Sequence, residues 1–179
     1  MEINKSIIIP CKDEKENINN VLHGIFKSLK EDTEIIIVVD DESDSTIKNL
    51  PNNIENLRTL INKYGPGPAE AIRYGIDNST GNSVCIFMGD GSDDPDQIEE
   101  LFSLIERGVS VAVATRYSRG GQYVGNSTLK YLLSRVSGLI LYYLFFIKTK
   151  DPTNMFKAYS KNFLDSVEIE SQNGFTLGL

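Results

Sequence analysis

Cysteine is scarce in this chain, and so is positive charge. The 179 residues include two cysteines, Cys11 and Cys85; they are too few to staple a fold of this size and too far apart in sequence for a metal knuckle. Reduced thiols are expected. Against 25 Asp and Glu stand 18 Lys and Arg, a net charge of −7, so no basic stripe is available to follow a phosphate backbone, and nucleic acid is excluded as a partner. Long apolar runs are missing too. The longest uncharged stretch, Val136 to Ile147, falls short of the roughly 20 residues needed to cross a bilayer. The opening Met1-Glu2-Ile3-Asn4-Lys5 lacks the basic, apolar and small-residue regions of an export signal, so a cytoplasmic protein is expected. What is present, 40% hydrophobic and 24% charged residues, is globular composition at the length of one domain.

Short β-branched runs alternate with helical patterns along the chain. Ser6 to Ile9, Glu34 to Val39, Ser83 to Met88 and Val109 to Ala114 read as strands, while Asn17 to Leu29 and Pro95 to Arg107 read as helices. In the first helix Ile18, Val21, Leu22, Ile25, Phe26 and Leu29 form one apolar stripe, which must pack on a sheet. Ile35-Ile36-Ile37-Val38-Val39 shows no polar alternation, as expected of a strand covered on both faces. The fold class that follows is α/β, a mostly parallel sheet with helices on both sides. Asp94-Pro95 supplies a cap and a first-turn proline, and Gly108 a helix end. After Ala114 the rhythm breaks into a long loop rich in Gly, Ser, Arg and Tyr, Thr115 to Thr128, followed by a helix from about Leu129 to Ile147.

Ligands of open parallel sheets bind beyond the carboxyl ends of the strands, and three of those ends are acidic here. They read Pro10-Cys11-Lys12-Asp13-Glu14, Asp40-Asp41-Glu42-Ser43-Asp44 and Gly89-Asp90-Gly91-Ser92-Asp93-Asp94. Gathered at one rim, such carboxylates either repel one another or hold a hard divalent cation, which prefers oxygen ligands. Mg²⁺ or Mn²⁺ would let an acidic cleft bind a phosphate ester. Single acidic turns are commonly structural, and Asp94 is assigned to capping, whereas Asp90, directly after an apolar strand, is assigned to function. His23 falls on a polar helix face and is read as solvated. Gly65-Pro66-Gly67-Pro68 starts a helix and also lets backbone approach a ligand.

These segments resemble inverting family-two glycosyltransferases. Ile8-Ile9-Pro10-Cys11-Lys12-Asp13-Glu14-Lys15-Glu16-Asn17-Ile18 is similar to the family opening VIPAYNEEENI, and Val38-Val39-Asp40-Asp41-Glu42-Ser43-Asp44 resembles VVDDGSTD with one residue missing. Asn62, Gly65, Gly67, Ala69 and Gly75 resemble the N-x-G-x-G-x-A segment, and Asp90-Gly91-Ser92-Asp93-Asp94-Pro95 resembles the second half of DADLSHDP. The nearest pattern is the dolichyl-phosphate mannosyltransferase and polyprenyl-phosphate sugar transferase branch. Arg116-Tyr117-Ser118-Arg119-Gly120-Gly121 resembles its RY-x-x-GG loop, Lys130 to Arg135 its RxxxSR, and Asp151-Pro152-Thr153-Asn154-Met155-Phe156-Lys157 its D-x-T-x-G-F-R. Two departures stand out. Met88 occupies the place of the first aspartate of the metal pair, and the family pattern continues past Leu179, so a shortened form is expected.

The resemblance implies a glycosyltransferase A (GT-A) fold, a Rossmann-like fold with a nucleotide-diphosphate sugar donor and Mg²⁺ or Mn²⁺. It divides the chain into a donor-binding part, 1–115, and an acceptor side, 116–179. It places Asp90 and Ser92 at the metal, and Pro10, Glu14, Asp40, Asp41, Gly67, Lys130 and Arg135 around the donor. Arg116 then stabilises charge, with Arg119 as a further cation, and Asp151 does positioning or base work. A polyprenyl phosphate acceptor suits the apolar helix 129–147, either as a membrane-interface element on the inner membrane face or as a homodimer contact. Two readings compete. One is a catalytically inactive nucleotide-sugar binder. The other is a receiver domain with Asp90 as phosphoacceptor, although its usual lysine after the fifth strand is not evident.

Overall fold

The computed structural model describes residues 4–29, 32–51, 54–117, 128–144, 149 and 151–167. Six strands form one sheet in the order β3-β2-β1-β4-β6-β5. They are β1 (Lys5–Cys11), β2 (Thr33–Val39), β3 (Leu57–Ile61), β4 (Ser83–Ile86), β5 (Val111–Val113) and β6 (Lys157–Ser160). The helices are α1 (Ile18–Ser28), α2 (Pro68–Asp77), α3 (Ile98–Glu106), α4 (Thr128–Leu144) and α5 (Lys161–Ser166). β1, β2, β3 and β4 pair in parallel, β6 runs antiparallel to β4, and β5 antiparallel to β6. The sheet is therefore mostly parallel, with β6 as its reversed strand.

The uniformly apolar strands do pack on both faces. Ile7, Ile9, Ile35, Ile37 and Phe87 meet α1 and α3 through Ile18, Leu22, Ile25, Ile98 and Phe102. On the other face Ile8, Ile36, Val38, Val84 and Ile86 meet Ala71, Ile72 and Ile76 of α2 and Leu164 of α5. Helix α2 approaches so closely that a Cβ on Gly75 would lie 2.5 Å from Ile8 Cγ2 and 3.2 Å from Val38 Cγ2.

Several boundaries differ from those read in the sequence. The helix expected from Pro95 begins as a 3₁₀ turn, Pro95–Gln97, capped by the Asp94 side chain on Asp96 N–H, before α3 proper. The strand expected over Val109 to Ala114 shrinks to three residues, because Gly108, at φ +95°, lets the chain turn out of α3 just before it. Helix α4 is described as far as Leu144; the expected residues 145–147 lie outside the described set. β3 and β6 had no periodic signal. β3 is an edge strand whose Arg58 and Thr59 are exposed, and β6 reads Lys-Ala-Tyr-Ser.

The amino ends of the strands are closed by paired charges. Buried Lys5 lies 3.3 Å from Glu99 and 3.4 Å from Glu106, and buried Glu34 accepts from Ser6, Thr80 and Arg58. Those partners hold its carboxyl below the usual range even though burial pushes it up. Lys5 and Glu34 thus have partners in the fold, whereas Asp41 and Asp90 at the opposite pole are exposed. Gly75→Ala should destabilise the chain by about 1–3 kcal/mol through overpacking of the α2–β1 contact, read as a lower urea midpoint with an unchanged slope.

Candidate functional site at the carboxyl rim

Register determines which loops meet. Ile8 pairs with Ile86, Ile86 with Lys157, and Lys157 with Val113, so the loops after β1, β4 and β5 emerge beside the segment that leads into reversed β6. The β2 loop joins them because Cys11 pairs with Val39. Pro10 fits here at low cost. The β1–β4 ladder stops at Ile8–Ile86, and Phe87 N–H closes on Ile8 O, so the donor that proline lacks is not missed on that side. Beside it, a Cβ on Gly89 would lie 2.7 Å from Cys11 Sγ, which makes glycine necessary for β4 to end against β1.

The acidic loops converge. The Cys11 thiol is buried and pushed up to about 12, first by burial and then by the charges of Glu14, Asp44 and Asp90, so carboxylates from the three acidic loops act on one buried atom. Exposed Asp41 accepts Ser43 N–H on its Oδ1 at 2.6 Å, and hydrogen bonding from the Ser43 side chain first and its backbone second holds the carboxyl below the usual range. Exposed Asp90 accepts Ser92 N–H at 2.9 Å. Ser92 thus orients Asp90 through its backbone.

Asp93 folds inward and accepts Met88 N–H at 2.9 Å. Its carboxyl is pushed up to about 6, by burial first and then by Asp90, against the Met88 hydrogen bond and the Arg116 charge. The residue at the lost aspartate position thus supplies a backbone donor to a neighbouring carboxylate. Among the described residues no three His, Cys, Asp or Glu side chains gather tightly enough to enclose a metal ion. The donor set is hard and oxygen-based but open. It fits Mg²⁺ or Mn²⁺ shared with a substrate phosphate better than a cation held by protein alone.

Asp40 behaves differently from Asp41. Its two oxygens accept Asn62 Nδ2–H and Gly67 N–H, each at 2.9 Å, and Asn62 Nδ2 also donates to Gly65 O at 2.5 Å. Asp40 and Gly67, both expected at the donor, pin the β3–α2 turn to the rim, with Gly67 at φ +118° as the cap of α2. Lys130 and Arg135 fall on α4; Arg135 is exposed, and the Lys130 side chain lies outside the described set, as does Arg119.

Across the rim, Arg116 grips Asp151. Its backbone N–H and Nε–H donate to Oδ2 at 3.0 and 2.8 Å, and Nη2–H donates to Oδ1 at 2.6 Å. The Asp151 side chain is fully buried, while Arg116 keeps 30% of its side chain exposed. A buried carboxylate with both oxygens taken up by one arginine is a firm anchor, which suits the positioning role expected for Asp151. Buried Lys157 donates to Pro152 O at 2.7 Å, and burial pulls its ammonium down to about 8 against the pull of Asp151. Neither Lys157 nor Thr46, which accepts Glu14 N–H at 3.0 Å, was singled out in the sequence. Only a partner about thirty residues away gives Thr46 meaning, whereas the match of Lys157 to the arginine of the D-x-T-x-G-F-R segment was an available signal.

The fold and its acid-lined rim define a class, and the chain belongs to it: residues 6–167 match the glycosyl transferase family 2 pattern. Among its curated relatives are an uncharacterized glycosyltransferase of Synechocystis sp., 34% identical over 68% of this chain and 40% of the relative, and the dolichol-phosphate mannosyltransferase of Pyrococcus furiosus. The latter is 26% identical over 92% of this chain and 48% of the relative. Glucosyl-3-phosphoglycerate synthase from Mycobacterium tuberculosis, solved with uridine diphosphate, superposes with a TM-score of 0.72 at 18% identity, covering 98% of this chain and 62% of that one. The expected GT-A fold is thereby established. The chain spans less than two thirds of the length of these relatives.

The raised Asp93 carboxyl makes a pH prediction. Its folded value lies above the unfolded value near 3.8, so the native state binds this proton more tightly; the stabilisation is complete below pH 3.8 and is lost as pH rises through about 6. Between pH 7 and pH 4 the wild type should gain about 2 kcal/mol relative to Asp93→Asn, measured by chemical denaturation of both proteins.

Proposed function

We propose that the chain forms the donor-binding and transfer part of an inverting hexosyltransferase. It would use a nucleotide-diphosphate sugar with Mg²⁺ or Mn²⁺ and deliver the sugar to a polyprenyl or dolichyl phosphate. The observation that carries this reading is the meeting, at one rim, of Glu14, Asp41, Asp90 and Asp93 with the anchored cation of Arg116. Glu14 and Asp41 accept from base N–H and ribose hydroxyl groups. Asp90, steered by Ser92, would hold a divalent cation, which would supply neutralisation of charge on the diphosphate. The bond from the anomeric carbon to diphosphate breaks as one forms to the acceptor oxygen, leaving a nucleoside diphosphate. A phosphate acceptor is already ionised, so the site needs no strong base, in keeping with the engagement of Asp151. Arg116, held from behind, presents its exposed edge to anionic substrate.

Residues 1–115 would carry most of the donor contacts and 116–179 the acceptor side. A lipid-linked acceptor is supported by the names of relatives such as the Pyrococcus mannosyltransferase and the polyprenol monophosphomannose synthase of Mycolicibacterium smegmatis, and by α4. Leu132, Val136, Leu139, Ile140 and Tyr143 form one exposed stripe at helical spacing along it. No helix among the described residues is long and apolar enough to cross a membrane, which suits a helix lying along the interface.

Two measurements test the reading. Thermal melts with UDP-, GDP- and dTDP-sugars should show stabilisation by one donor that grows with Mn²⁺, about 2.7 kcal/mol at a hundredfold excess over Kd. Asp90→Ala should remove the metal-dependent part, and an unchanged Mn²⁺ response would overturn the ligand assignment. In the second measurement the chain should float with vesicles carrying polyprenyl phosphate, and Leu132→Ser with Ile140→Ser should cut the bound fraction severalfold. Concentration-dependent dimers abolished by the same pair, without vesicle binding, would assign the stripe to self-association instead.

A further inference from the structure

Glu14 and Asp41 are assigned to the nucleotide above, yet neither is oriented by the strand that precedes it. Both lie in loops, and the two loops are clipped together by one short turn. Asp13 has φ +56°, left-handed backbone that side chains other than glycine rarely adopt. Both oxygens of Asp44 face its N–H at 3.2 Å, and Asp44 Oδ1 also accepts Thr46 N–H at 2.8 Å. Thr46 is fully buried, and its Oγ1 receives the next amide, Glu14 N–H, at 3.0 Å. Ser45 Oγ donates to Asp13 Oδ1 at 3.1 Å, and Asn17 Nδ2 donates to Glu14 Oε2 at 2.8 Å. On the other side Asp44 N–H closes on Asp41 O at 3.1 Å.

Two consecutive amides of the first loop thus end on one turn of the second, roughly thirty residues away. The same turn fixes the backbone of Asp41. Partial burial pushes the Asp44 carboxyl up, but the hydrogen bonds from Thr46 and Asp13 outweigh it and hold the group below its usual range, so it stays ionised and accepting at neutral pH.

We propose that Asp44 and Thr46 are positioning residues that set the spacing between Glu14 and Asp41, and so the affinity for the nucleoside half of the donor, without touching it. The inference rests on the donor reading above. It is tested by titration calorimetry of the whole chain with UDP, GDP and dTDP in Mn²⁺, with pyrophosphate and Mn²⁺ as a control that has no base or ribose. For whichever nucleotide the wild type binds, Asp44→Ala and Thr46→Val should each raise Kd about tenfold or more, as expected when hydrogen bonds to a charged or buried partner are lost. Thr46→Ser, which keeps the hydroxyl, should stay within about twofold, and pyrophosphate affinity should be unchanged in all three. In a transfer assay the donor KM should rise while kcat at saturating donor holds. If Asp44→Ala does not fold, the Thr46→Val and Thr46→Ser pair decides alone. Wild-type affinity for the nucleotide in Thr46→Val, or equal losses for nucleotide and pyrophosphate, would overturn the inference and leave the donor reading standing. A wild type that binds no nucleotide diphosphate overturns both.

Discussion

Mutual repulsion among carboxylates is the constraint around which the rest of this rim is arranged. A parallel sheet delivers its strand ends to one edge, and here those ends carry Glu14, Asp40, Asp41, Asp44, Asp90 and Asp93. The fold tolerates them because nearly every one is met by a donor: Ser43 N–H for Asp41, Thr46 N–H for Asp44, Gly67 N–H for Asp40, Ser92 N–H for Asp90 and Met88 N–H for Asp93. Backbone donors bring partial positive charge without side-chain entropy, so they offset repulsion while leaving lone pairs for a ligand. Asp93, whose carboxyl is largely shielded from water, is where the offset fails and the carboxyl rises.

The second element of the site depends on strand direction. Because β6 runs against β4 and β5, the segment that enters it, Asp151 to Phe156, arrives at the same rim from which the other loops leave. Arg116 after β5 and Asp151 before β6 therefore meet, although 35 residues separate them. The Phe87–Phe156 edge contact, 5.2 Å between ring centres, packs beneath this junction. The pair is asymmetric in a useful way. A buried carboxylate fixes the orientation of an arginine that stays partly open at the rim.

The departure from the family pattern at Met88 is thus partly compensated. The position loses a carboxylate oxygen, yet its N–H steadies Asp93, and Asp90 stays exposed. What results is a thinner oxygen set than a paired motif would give. The division of Asp40 from Asp41 follows similar logic. Adjacent carboxylates after a strand point to opposite sides, so one ties down the β3–α2 turn and the other faces outward.

Much of this was legible in the residues. Unbroken Ile and Val runs specify a two-faced parallel sheet, the α1 stripe specifies its packing side except at Phe26, which is exposed at the edge of the stripe, and Asp94-Pro95 with Gly108 brackets α3, because each of these signals is local and strong. The acidic strand ends could be placed at one rim for the same reason. β3 and β6 could not be read, since an exposed edge and a short mixed strand derive their stability from neighbours. Nor could the separate duties of Asp40, Thr46, Asp151 and Lys157, which depend on partners distant in sequence. Composition and periodicity determined the kind of fold and the rim at which its chemistry gathers. Only tertiary structure decided which carboxylate braces a loop, which anchors an arginine and which stays open to a ligand, because those choices are made by donors that register and strand direction bring from elsewhere in the chain.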